Sequence, residues 1–415
     1  MAPPVSGYAT STVPPGSARG LTNSFYALEY ATIQDAINAA AAAGGGTIFI
    51  PEGTYNTTST PTKYFVGTAL PTNVPVHLVG AGPELTILQG PNNAGHLLQV
   101  RSSYQTVSGI TFDGQGDNAS TNHGILIGRS GTILREIVIE NCVIRTTSGW
   151  GVYFQGEESL PVGSGAILCS IRQTEVRLNQ NSGFGGIRIG KACTTILVEN
   201  TIVDQFLGLG VEILEAQGVA MIGCTIEKEP NVADTGVFLH VNGSTQCLFS
   251  ALRCEQKTAA QAYPFIAIDG AASGLTFDTC QFIRSQTTNP RVMSVNATVY
   301  GVVVINPRIF VDHPVTASDH FFVGGSATEF LLVGGKIIDS TGVASDPAIS
   351  TSLPLMGLPP EVRLVSAIAA PRMPALTTAQ RNALPYITAG IMVFNIDVGV
   401  KKAQVFDGTA WQNLW

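Results

Sequence analysis

The 415-residue chain carries 22 lysines and arginines against 29 aspartates and glutamates, a formal charge of −7, with 45 glycines and only 12% charged residues. That balance excludes a basic nucleic-acid footprint, a coiled coil and a disordered chain, and no apolar run is long enough to span a membrane. Glycine together with β-branched residues favours strands joined by tight turns.

Residues 1–30 are rich in proline, serine and glycine and show no periodicity. They read as an extended arm, either an attachment to a larger particle or a plain leader. The start lacks a basic segment followed by an apolar core, so export by a standard signal is not expected.

The stretch TIQDAINAAAAAGGGTIFIPEGTY, residues 32–55, sets an alanine-rich helix before three glycines and a β-branched strand. A phosphate-binding fingerprint needs the reverse order, with glycines opening the helix. Gly44–Gly46 therefore predict a helix C-cap leading into a strand. Ile33, Ala36, Ile37 and Ala40 share one face of the helix. That face suits a cover over the exposed end of a solenoid.

From residue 109 a repeat sets the architecture. GITFD (109), NCVIR (141), QTEVR (173), NTIVD (200), GCTIE (223), ALRCE (251), TCQFI (279), NPRIF (306) and GGKII (334) begin 23 to 32 residues apart. Their second and fourth positions are mostly apolar and predict an inward face. A second strand follows in several copies: GVYFQ (151), GIRIG (186), GVEIL (210) and GVFLH (236). Such short strands cannot bury an apolar face alone, and stacked as coils they form a continuous core. The predicted fold class is all-β, a right-handed parallel β-helix over residues 31–339 with an N-terminal capping helix. The seven cysteines lack CxxC spacing. Cys142, Cys224 and Cys280 fall in one inward column and read as buried filling. No cofactor and no metal site are implied.

The helix–glycine–strand opening, with VPVHLVGAGPELTILQG from Val74, resembles the first coils of the pectate-lyase-like β-helix superfamily. The resemblance covers roughly residues 30–340. It implies the fold, and it implies carbohydrate chemistry of the kind found in pectate lyases, polygalacturonases and phage tailspikes. The polygalacturonase catalytic pieces do not occur here, and FDGQG at 112 shares only turn wording with that family.

Residues 340–372 read as a linker. Residues 373–415 predict a short helix in LTTAQRNAL and then a small β-meander with a tight Asp407-Gly408 turn. This C-terminal segment resembles a module near the ends of phage tail-fibre and virion proteins. So small a meander has little core of its own, which favours homotrimerisation, with packing on its own β-helix as the alternative.

The fifth position of each repeat makes an outward column. Rungs lie about 4.8 Å apart, so Asp204, Glu227 and Glu255 form a carboxylate set at spacings compatible with glycoside cleavage. A solvated charge stripe, with Arg177 screening Asp204, is the competing reading. The long rungs add Asp117, His123, Glu157 and Glu158. With Arg177 and Tyr153, the residues Asp117, Glu157 and Glu158 are candidate glycan contacts, although a Tyr near a strand also suits a groove wall. His240, His313 and His320 have no partners at informative spacing and read as ordinary.

The resemblances together imply a bacteriophage spike made in the host cytoplasm and displayed on the virion surface. Its partners would be a host polysaccharide, two further copies of itself and other virion proteins, with no nucleic acid and no membrane insertion. A free polysaccharide lyase or glycoside hydrolase and a purely structural spike are the alternatives.

Overall fold

The structure is a computed structural model. It describes residues 23–338 apart from 57–64, 67–73, 91–95, 116–122, 178–184, 207, 229–235, 257–262, 285–291, 297, 312–321 and 325–329. Beyond these it describes 344–345, 375–376, 378–382, 392–395, 402–406 and 410–413. Asp117, His313 and His320 lie outside the described residues.

The chain winds as a right-handed parallel β-helix with three sheets of 13, 10 and 12 strands. Each complete rung therefore has three strands where the sequence reading expected two. The rung from Thr106 shows the order: Thr106–Ser108 in the thirteen-stranded sheet, Thr111–Asp113 in the twelve-stranded sheet, Ile125–Ile127 in the ten-stranded sheet. The first two strands are separated by a bend so short that their sequence reads as one run.

That bend explains the repeat. Its first residue has a left-handed backbone in all nine copies: Gly109, Asn141, Gln173, Asn200, Gly223, Ala251, Thr279, Asn306 and Gly334, with φ between 47° and 66°. The single reversal turns the chain from one sheet into the next. The freed amide then donates to the following rung, as Asn200 N–H does to Ile222 O (2.9 Å) and Thr279 N–H to Ile305 O (2.8 Å). At Gly223 a Cβ would meet Asn200 Oδ1 at 2.6 Å, so glycine there leaves room for the asparagine of the rung below.

The next residue mostly points inward, and three of the seven cysteines, Cys142, Cys224 and Cys280, are found there. All seven are buried and free of disulfides. Cys142 and Cys224 direct their thiols at the carbonyls two residues back, at 3.2 and 3.6 Å, across the bend. Burial raises their pKa values to about 12 and about 11, so they remain thiols. The fourth positions, from Phe112 and Ile144 to Phe282 and Ile337, are fully buried. In the later rungs phenylalanines fill the interior, with Phe249 stacked on Phe277 at 4.5 Å and Phe238 edge-on to Phe265 at 4.7 Å.

Helix α1 (Ile33–Ala42) is capped by Thr32, whose side chain accepts from the Asp35 amide at 3.1 Å. Its face of Ile33, Ala36, Ile37 and Ala40 is buried into the start of the core. Gly45, at φ 119°, sits where a Cβ would meet Pro75 O at 2.5 Å, so the glycines form a tight exit from the helix. The strand Ser24–Tyr26, inside the expected arm, pairs with Thr47–Phe49 and extends the first sheet by one strand. In the C-terminal segment, Met392–Asn395, Lys402–Phe406 and Trp411–Asn413 form an antiparallel meander. Ala375–Leu376 adds a fourth, parallel strand, and Thr378–Asn382 is the expected helix.

A β-branched residue in a left-handed bend is strained. Thr279→Asn should raise stability by about 0.5–1 kcal/mol, and Asn200→Val should lower it by about 1–2 kcal/mol. Denaturant midpoints of the two variants check this, and equal midpoints would contradict the role given to the bend.

Candidate functional site

The fifth-position column is in direct register on the twelve-stranded flank. Asp113 pairs with Arg145, then Arg177, Asp204, Glu227, Glu255, Ile283, Phe310 and Ile338. Its charges are largely engaged close to home. Arg145 bridges Asp113 at 3.1 Å and Glu84 at 3.0 Å. Arg177 turns along its own strand to Glu175, with Nε–Oε1 at 2.9 Å, and Glu255 is paired with Arg253. Asp204 is buried and Glu227 half-buried. The three candidate carboxylates thus occupy successive rungs, one of them matched by an arginine on its own strand.

The other candidates gather on the ten-stranded flank. Tyr153 is 4% exposed and Trp150 3%. With Leu126 and half-buried Leu209 they form a small apolar cluster separate from the main core. The Tyr153 hydroxyl donates to Glu158 Oε1 at 2.6 Å, while Glu158 also accepts the Lys191 amide at 2.7 Å. Burial, and then the Glu158 bond, raises the Tyr153 pKa and keeps the phenol protonated. Glu157 accepts the Gly163 amide at 2.8 Å. Tyr153 is thus buried, while Glu157 and Glu158 accept backbone amides of their own loop and of the next rung.

The same flank carries a set that sequence reasoning missed. Tyr153, Arg188, Glu212 and His240 are register partners on four rungs. Their strand neighbours Ile187, Ile189, Val211, Ile213, Leu239 and Val241 point inward and are fully buried, which turns the middle residues out. The Arg188 guanidinium lies 5.2 Å from the Tyr153 ring centre and 5.6 Å from that of Trp150, while its Nε meets Glu212 at 2.9 Å. His240 stands between two carboxylates, Nδ1 3.6 Å from Glu212 and Nε2 3.0 Å from Asp269. The signal was present in the middle residues of GIRIG and GVEIL. It was lost because GVFLH was aligned on Gly236, whereas Val211 pairs with Leu239.

Two further histidines lead into this strip. His96 and His123 stack at 4.9 Å, and His123 meets Tyr153 edge-on at 5.1 Å. His96 Nδ1 accepts the His123 amide at 3.2 Å, and His123 Nδ1 accepts the Trp150 amide at 2.9 Å. Each neutral ring therefore carries its hydrogen on Nε2. Burial first, then Arg101, holds the His96 pKa down to about 4, and burial, then His96 and Arg188, holds that of His123 down to about 3.

Arg188, Glu212, His240 and Asp269 keep 22, 14, 19 and 43% of their side-chain surface. They form an accessible strip of alternating donors and acceptors, with rungs about 4.8 Å apart. It can hydrogen-bond an elongated polar ligand lying along the rod, and the carboxylate–imidazole–carboxylate group can exchange a proton with it. Among the described residues, no group of three or more His, Cys, Asp and Glu side chains is gathered as a metal cage.

The two kinds of histidine give opposite pH dependences. Glu212 first, and then Asp269, raise the His240 pKa against the effect of burial. Its contribution to stability is complete below the unfolded value of about 6.5 and fades as pH rises through the folded value. For His96 and His123 the contribution is complete above about 6.5. It is lost as pH falls towards their folded values of about 4 and about 3. Melting temperatures measured from acid to alkaline pH should show both limbs. His240→Gln should flatten the alkaline limb and leave the acid limb in place.

No protein-family model matches the chain. The mannuronan C5-epimerase AlgE1 of Azotobacter vinelandii is 34% identical over 170 residues, which is 37% of this chain and 11% of the relative. The chain thus spans a small part of that protein. Among solved structures, the DFA-IIIase of Arthrobacter chlorophenolicus A6 with GF2 superposes with a TM-score of 0.57 at 13% identity, covering 80% of this chain and 92% of the other. The tailspike protein gp49 of Acinetobacter baumannii bacteriophage Fri1, a capsular polysaccharide depolymerase, gives 0.51 at 15% identity, covering 75% and 58%. These identities speak for architecture alone. The chain is a right-handed parallel β-helix, the architecture it shares with these proteins.

Proposed function

We propose that the chain is a bacteriophage surface spike that binds a host polysaccharide along the ten-stranded flank. The observation that carries this reading is the strip of Arg188, Glu212 and His240, in register on three successive rungs, with Asp269 beside His240 from the next column. A repeating sugar polymer laid along the rod meets new hydrogen-bonding groups at every rung. The fold likeness to a tailspike and the virion-type wording of residues 373–415 support placement on a virion. Three copies joined through the C-terminal meander would present three strips, and multivalent attachment offsets weak single contacts.

A second location for the ligand is the twelve-stranded flank, favoured by the direct register of Asp204, Glu227 and Glu255. A carboxylate set there would cleave the polymer rather than only hold it. One comparison separates the two. Purified capsular polysaccharides from candidate hosts are screened for binding and for chain shortening. Glu212→Gln and Arg188→Lys should weaken binding at least tenfold, about 1.4 kcal/mol, while Glu227→Gln leaves it unchanged. Loss of chain shortening in Glu227→Gln with binding intact would assign cleavage to the second flank. Binding and chain shortening both indifferent to all three variants would remove both sites.

A further inference from the structure

Where the last bends pass from the thirteen- to the twelve-stranded sheet, they frame a groove of about 710 Å³. Thr279 and Gln281, then Asn306 to Arg308, then Gly334 to Lys336 line it on three successive rungs. Its volume lies within the range of roughly 300–1,000 Å³ found for small-ligand sites. Glycine sets the shape of the upper rung. A Cβ at Gly334 would meet Asn306 Oδ1 at 2.3 Å, and one at Gly335 would meet Pro307 Cδ at 2.7 Å, so both positions lie too close to the rung below for a side chain.

The groove reverses the sign of its surroundings. The third position of the repeat runs Arg253, Gln281, Arg308 and Lys336 in register. Arg253 is paired with Glu255, whereas exposed Arg308 and Lys336 have no ion pair among the described residues. In the fifth-position column the carboxylates end at Glu255, and Ile283, Phe310 and Ile338 follow. Among the described residues, no acidic side chain lines the groove. Two cations on adjacent rungs therefore border a site with no carboxylate of the chain's own, in a protein of net charge −7. The Gly334 amide, unlike the earlier bend amides, has no acceptor among the described residues and leaves a further donor at the groove's end.

We propose that this groove holds a carboxylate-bearing sugar unit of an acidic polysaccharide, at a site separate from the Arg188–Asp269 strip. That the ligand is a sugar rests on the polysaccharide reading above; that it is acidic rests on the groove. The carboxylate engages Arg308 and Lys336 through charge-assisted hydrogen bonds. Ring hydroxyls engage Thr279, Gln281 and Asn306, and the C–H face of the ring lies on Pro307 and Ile338. A bare anion would use the two cations and leave most of the volume unfilled. A neutral sugar would fill it and leave the cations without a counter-charge.

Isothermal titration of the full chain at low ionic strength compares a galacturonate tetramer, neutral maltotetraose and inorganic phosphate. The uronate should bind about fivefold or more tighter than the other two, the scale set by two exposed ion pairs. Arg308→Gln combined with Lys336→Gln should remove that advantage, and so should added salt. Both side chains are exposed, so the double variant should keep the circular dichroism of the β-helix. Uronate affinity unchanged in the double variant would overturn the site, and affinity lost in Glu212→Gln instead would place this ligand in the strip. Phosphate bound as tightly as the tetramer would reduce the groove to a simple anion site and overturn the sugar. A chain that binds neither tetramer would overturn this proposal alone, since capsular polysaccharide and the Arg188 and Glu212 variants decide the strip.

Discussion

From Thr106 onward the coil depends on a left-handed residue between the first and second strand of each rung. Nine consecutive bends, Gly109 to Gly334, place that conformation between the first and second strand of each coil. One bend reverses which side of the chain faces in, so two short strands can both present apolar residues to a common interior. It also aims the bend amide along the rod at the next rung. The residues that tolerate the conformation, glycine and asparagine, occupy six of these nine positions. The remaining three, Gln173, Ala251 and Thr279, are held there by the stacking of the rungs above and below.

The same geometry explains what could be read from the sequence. Inward positions such as Ile110 and Phe112, or Cys280 and Phe282, follow a strict alternation, and alternation is visible without knowing any partner. Outward columns follow once the repeats are aligned, so the line from Asp113 to Ile338 was legible rung by rung. The capping helix was legible too, because a helix ending in three glycines leaves little choice of direction. The third strand of each rung was not. Strands such as Val138–Glu140 and Val143–Arg145 are joined by two residues, of which Asn141 alone is of turn type, too little to part them in the sequence.

The strip on the ten-stranded flank stayed hidden for a different reason. His240 finds its carboxylates on adjacent coils, 28 residues earlier (212 to 240) and 29 later (240 to 269). No local spacing marks such a pair. Loops of unequal length between coils then shift the apparent alignment, as at Gly236, which lies over Gly208 rather than over Gly210. Charge placement on the other flank was also incomplete in the sequence, since Arg177 has a choice between the carboxylate on its own strand and the one a rung away. The shorter reach along the strand prevails.

Because the rungs stack in parallel register, their backbone hydrogen bonds point along the rod rather than across it. An end-to-end pull therefore loads the coils in series, and the weakest rung yields first. A push along the same axis instead closes rung on rung and presses the phenylalanine stacks together, against an interior that is already close-packed. The molecule is accordingly a strut rather than a cable, stiff towards whatever it is driven against.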